Sequence, residues 1–163
     1  FMAAAYETAR EFLKQQSYAQ YEISNFALSG FESRHNQKYW RLEFYAGLGA
    51  GAHSYDGHCR WANETATEAY ERRLAHGESP IAEVRALSPE EQLEEFFFLG
   101  LRQREGVDLA LARQRWGAQQ MAGWEPRIAR LAGDGWLERW QDRIRLTERA
   151  ILVSNEIFQE FLT

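Results

Sequence analysis

Apolar residues recur at helical spacing at the start of the chain: Phe1, Met2, Ala5, Ala9, Phe12 and Leu13 share one face, with Glu7, Arg10, Glu11 and Lys14 largely elsewhere. The pattern predicts an amphipathic helix over residues 1–16. From Tyr18 to Phe26 aromatic and β-branched residues take over, which predicts one short strand closed by a Ser29-Gly30 turn, and a helix followed by a strand is half of a β/α repeat. Residues 31–41 mix polar and aromatic positions without a period and read as a structured loop. Residues 44–54, FYAGLGAGAHS, predict a small-residue strand and turn, and residues 55–63 show no decisive pattern. A second helix is expected over residues 65–76, with Ala66, Ala69, Tyr70 and Leu74 inward and Gly77 as its stop. Residues 77–87, carrying Pro80, are the expected boundary between two domains, 1–80 and 81–163.

The second half has stronger local signals. Ser88-Pro89-Glu90-Glu91 offers a cap, a proline suited to the first helical position and the glutamate of a capping box. The helix it starts is expected to reach about Arg104 and stop at Gly106. Asp108 caps a shorter helix ended by Gly117, and Pro126 sits in the first turn of another that ends near Gly133-Asp134-Gly135. Trp136 to Trp140 and Arg143 to Leu146 flank Gln141-Asp142 as a small hairpin. Thr147 then caps a final helix with Ile151, Ile157, Phe158, Phe161 and Leu162 inward. Three helices, a two-stranded wing and a last helix form a winged-helix-like arrangement.

Composition narrows the function. Of 163 residues 45% are hydrophobic and 26% charged, near the globular average, and no apolar run approaches a membrane span. Nineteen basic residues against 24 acidic ones give a net charge of −5, which repels phosphate backbones. Residues 118–149 hold six basic and five acidic side chains, too balanced for a DNA-reading surface. Trp116, Trp124, Trp136 and Trp140 in this half are expected in a core or a contact between domains. One cysteine, Cys59, cannot supply the thiolates of an iron–sulfur cluster and is compatible with a reducing cytoplasm. Phe1 ahead of a helix-like run, with no signal-peptide pattern, suggests a piece of a longer chain.

The densest chemical segment is His35-Asn36-Gln37-Lys38-Tyr39-Trp40. A planar macrocycle with a metal centre could use His35 as axial ligand, the aromatic faces for stacking, and Arg34, Lys38 or Arg41 for its carboxylates. The same residues also fit an aromatic segment with a purely structural histidine. The glycines of residues 47–51 lack the spacing of a dinucleotide fingerprint; they suit either a cofactor lying against backbone or tight packing. His53, His58 and Cys59 have no identifiable supporting carboxylates for a metal site, and Glu22, an acid in an apolar run, could face a barrel interior or solvent.

In order along the chain, Tyr21-Glu22-Ile23-Ser24-Asn25-Phe26-Ala27, the HNxxYW string and Gly47-Leu48-Gly49-Ala50-Gly51-Ala52-His53-Ser54 resemble the radical-SAM family named for oxygen-independent coproporphyrinogen III oxidase. Leu99-Gly100-Leu101-Arg102, Glu105-Gly106-Val107-Asp108, Leu146-Thr147 and Val153-Ser154-Asn155 continue the likeness, with Ala150 where relatives commonly have glycine. HNxxYW is similar to the HemW-type branch, described as haem chaperones. The resemblance implies an α/β plus α fold: the last elements of a radical-SAM partial β/α barrel, then a winged-helix-like C-terminal domain. It implies haem binding through His35, Asn36, Tyr39 and Trp40, with His35 the metal ligand, and S-adenosylmethionine near Gly47, Gly49 and Ala50. No catalytic residue is carried over. The family's CxxxCxxC motif for a [4Fe–4S] cluster is not in this sequence, so cluster and S-adenosylmethionine chemistry belong to a longer parent and this chain should be inactive alone. The implied function is cytoplasmic haem binding and delivery to recipient haem proteins. The alternative is conversion of coproporphyrinogen III to protoporphyrinogen IX. Neither involves nucleic acid.

Overall fold

Helix α1, Met2–Gln15, forms where the pattern predicts it but buries a different row. In this computed structural model, which describes residues 2–162, Phe12 is 60% exposed and Ala5 and Ala9 face solvent, while Tyr6, Arg10 and Leu13 are half-buried. The rotation follows from hydrogen bonding. The Tyr6 hydroxyl donates to the Ile23 carbonyl at 3.1 Å and accepts from Gln20 Nε2 at 2.7 Å, tying its row to the following strand. Phe1 and the Met2 side chain, assigned to the inward face above, lie outside the described residues.

The expected single strand is a hairpin of β1, Ala19–Glu22, and β2, Asn25–Ala27, paired antiparallel with Gln20 opposite Phe26. Its turn is organised by Glu22, whose Oε2 accepts from the Ser24 N–H (2.9 Å), the Ser24 hydroxyl (3.1 Å) and Asn25 Nδ2 (2.7 Å). The expected loop is also corrected. Arg34–Trp40 is a helix, α2, because the Ser33 hydroxyl accepts from the Asn36 N–H at 3.3 Å as its N-cap.

Residues 44–52 are mostly irregular rather than strand, with a single bridge from Tyr45 to Tyr55 and a turn at Ala50-Gly51 where Gly49 takes φ 108° and Gly51 φ 69°. Strands β3, His53–Tyr55, β4, Cys59–Asn63, and β5, Ile81–Ala86, form an antiparallel meander in that order. The stretch read as a boundary therefore contains an edge strand. Helix α3, Thr67–Ala75, ends before Gly77 at φ 72°, and Leu74, expected inward, is 49% exposed.

Helix α4, Pro89–Gly100, begins with the expected capping box: Ser88 Oγ accepts from the Glu91 N–H at 3.1 Å and the Glu91 carboxylate accepts from the Ser88 N–H at 2.8 Å. It ends four residues early because the next backbone is used elsewhere. Ile23 N–H donates to the Arg102 carbonyl at 3.0 Å and Arg104 N–H to the Tyr21 carbonyl at 3.1 Å, which joins this segment to the β1–β2 hairpin. Then follow β6, Val107–Asp108, and α5, Leu109–Trp116, capped by Asp108 Oδ1 accepting from the Leu111 N–H at 3.0 Å. Helices α6, Ala118–Ala122, and α7, Glu125–Gly133, lead into β7, Leu137–Trp140, and β8, Arg143–Leu146. The last sheet has the order β6-β8-β7. Thr147 does not cap a helix; its hydroxyl donates to the Gly135 carbonyl at 3.0 Å, a 3₁₀ turn covers Glu148–Val153, and only then does α8, Ser154–Gln159, begin. Leu162, expected inward, is half-exposed.

Contacts group the chain into two units: one runs to Arg41 and resumes at Leu93, the other is Leu42–Gln92. This partition differs from the 1–80 and 81–163 division read from the sequence. The first unit's core is a stack in which the Phe97 ring lies 5.0 Å from Trp124 and 4.9 Å from Phe161. Ile144 and Leu146 point into that core while Arg143 and Arg145 alternate outward. Every named strand pairing is antiparallel, so no parallel βαβ unit occurs among the described residues. No described helix is long and apolar enough to cross a membrane.

Candidate functional site

At 3.6 residues per turn, six of the seven residues of α2 sort into three rows. His35 and Tyr39 form one row, their rings 4.9 Å apart edge to face, with His35 exposed and Tyr39 half-buried. Asn36 and Trp40 form a second, half-buried row; the Trp40 ring lies 5.9 Å from Tyr21. Arg34, Lys38 and, at the C-cap, Arg41 form the third. The four residues expected to hold haem are thus neighbours on one short helix in two rows, and of the four His35 alone is exposed. The His35 ring is exposed to solvent, and Trp40 anchors the C-terminal end of α2 against Tyr21.

The anchor is held from several sides. The Ser33 N–H donates to the Tyr21 hydroxyl at 3.2 Å, Gln103 Nε2 donates to the Trp40 carbonyl at 3.2 Å, and Arg41 faces Glu105 at 3.4 Å. A cavity of about 350 Å³ opens here, lined by Gln20, Tyr21, Glu32, Gln37, Arg41, Gln103, Arg104 and Glu105. Below Tyr21, Glu22 is fully buried with Oε1 2.6 Å from Arg102 Nη2, and the Arg102 guanidinium lies 5.9 Å over the Phe158 ring. Glu22 therefore faces neither a barrel interior nor solvent. Tyr21, Arg102 and Gln103 were not foreseen as supports of this helix, although Tyr21 and Arg102 lie within the motifs that carry the family resemblance.

In the Leu42–Gln92 unit, the loop of Gly47, Gly49 and Ala50 is held by its own unit. The Gly47 N–H donates to Ser54 Oγ at 2.9 Å, the Gly49 N–H to the Tyr70 hydroxyl at 3.2 Å, and Asn63 Nδ2 donates to the Gly49 carbonyl at 2.9 Å. A Cβ at Gly47 would stand 2.1 Å from the His53 carbonyl oxygen, which requires glycine there. Between these glycines Leu48 projects 91% exposed, and Ala50 is exposed beside it. The N–H groups of Gly47 and Gly49 are thus already engaged and do not fit the role of free donors to a cofactor.

His53 and His58 are exposed on β3 and on the β3–β4 turn, where Asp56 Oδ1 accepts from the His58 and Cys59 N–H groups at 2.9 and 2.7 Å. Those two bonds hold the Asp56 carboxyl below its usual range. Among the described residues no group of three or more His, Cys, Asp or Glu side chains could hold a metal ion, so the residues present do not fit an iron–sulfur cluster. Of the four tryptophans assigned to a core or contact, Trp124 is buried, Trp116 packs on Phe96 at 5.0 Å, and Trp136 and Trp140 carry the Arg149 and Arg145 guanidinium groups on their faces.

Residues 87–153 match the model of the HemN C-terminal domain. The protein named heme chaperone HemW from Bacillus subtilis is 37% identical over 98% of this chain and 42% of its own length. The heme chaperone HemW of Lactococcus lactis is 35% identical over the same shares. Among solved structures, coproporphyrinogen III oxidase (HemN) from Escherichia coli, titled a radical SAM enzyme, matches with a TM-score of 0.73 over 96% of this chain and 40% of that one. At 20% identity that likeness concerns the fold. The chain spans about two fifths of the length of these relatives.

Proposed function

The chain belongs to the HemN-like radical-SAM family, as a C-terminal portion of HemW type, and from that premise we propose that the whole protein binds haem and hands it to haem proteins. The observation that carries this reading is likeness to heme chaperones along nearly the entire chain, at an identity well above that shared with the oxidase fold. Within it, His35 serves as the iron ligand: its imidazole is exposed, and the Tyr39 ring against its side limits its rotation. Tyr39 offers a flat aromatic contact for the macrocycle. Trp40 and Asn36 position α2 rather than touch the cargo, Trp40 through Tyr21 and Gln103. The helical remainder, winged-helix-like in the order of its helices and hairpin, supports this helix from below.

In the whole protein a [4Fe–4S] cluster with S-adenosylmethionine would supply one-electron chemistry. This chain's share is limited to its glycine turn. An adenosyl group approaching there would meet the exposed Ala50 and the backbone beside Gly49, not the engaged N–H donors. A cytoplasmic location is part of the proposal.

The test is transfer. The haem-loaded chain is mixed with an apo-haemoprotein whose Soret band is distinct. Movement of haem to the acceptor faster than from an unrelated haem-binding carrier is expected. Absence of transfer, together with consumption of coproporphyrinogen III by the cluster-loaded full-length protein, would overturn the chaperone reading in favour of the oxidase.

A further inference from the structure

The cationic row of α2 differs from the arginines around it. Elsewhere in the same unit arginines are matched to acids or laid over aromatic rings: Arg102 pairs with Glu22 at 2.6 Å, Arg113 with Asp142 at 2.7 Å, Arg130 with Glu160 at 2.6 Å and Arg143 with Asp108 at 3.0 Å, while Arg115, Arg127 and Arg149 lie over Phe96, Trp124 and Trp136. Arg41 follows that rule through Glu105. Arg34 and Lys38 do not. Both are exposed and neither has an acidic partner among the described residues, in a chain with 24 acidic side chains against 19 basic ones. Glu32, the acid nearest to Arg34 in sequence, instead accepts from the Gly30 N–H at 3.4 Å.

These two cations are one turn apart, ~6 Å along the helix axis, on the row adjoining His35 and Tyr39. One helix surface therefore presents a metal-ligating imidazole and an aromatic face, flanked by two unneutralised positive charges at nearly the spacing of two carboxylates on one ring edge. The complementary ligand is a flat, metal-centred macrocycle with a pair of carboxylates on one side. We propose that Arg34 and Lys38 form a carboxylate clamp that orients such a dicarboxylate porphyrin on the His35–Tyr39 row and selects against porphyrins whose carboxylates are masked. This rests on the haem reading above and adds to it the substrate feature that is recognised. Arg34 provides the two-pronged contact and Lys38 the point charge.

The test compares iron protoporphyrin IX with its dimethyl ester, each titrated by Soret absorbance in the same dilute non-ionic detergent. The proteins are the chain, the Arg34→Gln/Lys38→Gln double variant, His35→Ala, and Lys14→Gln as a cation away from α2. The chain is expected to bind the free acid about tenfold more tightly than the ester, as two exposed charge-assisted contacts would give. The double variant should bind both alike, near the ester value, and lose the salt dependence of free-acid binding. Lys14→Gln should behave as the parent. If the parent binds acid and ester equally, or Lys14→Gln weakens acid binding as much as the double variant, the clamp is wrong while haem binding stands. If no ligand gives a saturable, His35-dependent shift, the clamp and the haem reading fall together.

Discussion

The Glu22 carboxylate has no solvent contact, yet it accepts three hydrogen bonds from Ser24 and Asn25 and faces the Arg102 guanidinium, so one side chain shapes a turn and joins two segments far apart in sequence. Removing it leaves a partly buried cation and several unmet donors. Glu22→Ala is expected to lower stability by about 3 kcal/mol, and Glu22→Gln by roughly half as much, in urea unfolding followed by tryptophan fluorescence. A loss below about 0.5 kcal/mol for Glu22→Ala would show that the carboxylate is not the joint described. Gly47 acts by absence of a side chain. Its missing Cβ leaves room for the His53 carbonyl, so Gly47→Ala should destabilise the Leu42–Gln92 unit by about 2 kcal/mol, read as faster amide exchange at β3 and β4. Unchanged exchange there would return the glycine to a ligand role.

Helix caps and ion pairs set the behaviour of the elements. Asp108 both caps α5 and pairs with Arg143 at 3.0 Å, so Asp108→Ala should cost about 1.5 kcal/mol and Asp108→Asn less, since an amide oxygen still caps. Equal losses would assign the effect to the ion pair. Glu125, in α7, is held below its ordinary value of 4.5 first by the hydrogen bond from Arg139, then by the Arg139 and Arg113 charges, with burial opposing. A depressed carboxylate contributes stability above its unfolded value and loses it as pH falls through the folded one. The melting temperature of the parent should therefore exceed that of Glu125→Gln near neutrality and converge on it below about pH 4.5; a gap independent of pH would contradict this. The elements legible in the sequence are those with a local reason: the Ser88–Glu91 box, the Asp108 cap, the Gly117 stop and the hairpin at Gln141-Asp142, where Gln141 takes φ 52°. Those that escaped depend on distant partners. The buried row of α1 is chosen by the Tyr6 hydroxyl and the Ile23 carbonyl, α2 is too short to show a period, and β5 is an exposed edge strand paired with β4.

For the molecule as a whole, the HNxxYW residues were legible as a chemical group, but their division into a His35–Tyr39 row and an Asn36–Trp40 row packed toward Tyr21 was not. That division depends on Tyr21 and Gln103, which no spacing connects to α2. The glycine turn was legible as a place of close approach; the approaching group is the unit's own backbone and side chains. What remains distinctive is an exposed histidine on a firmly anchored short helix, in a chain matched along its length by heme chaperones. The central claim is that this helix binds haem, and the most direct measurement is a haem titration by visible absorbance on the chain and on His35→Ala, with free haem subtracted. A saturable Soret shift at one haem per chain that is lost in His35→Ala is the expected result. A shift of equal size and midpoint in both proteins would contradict it.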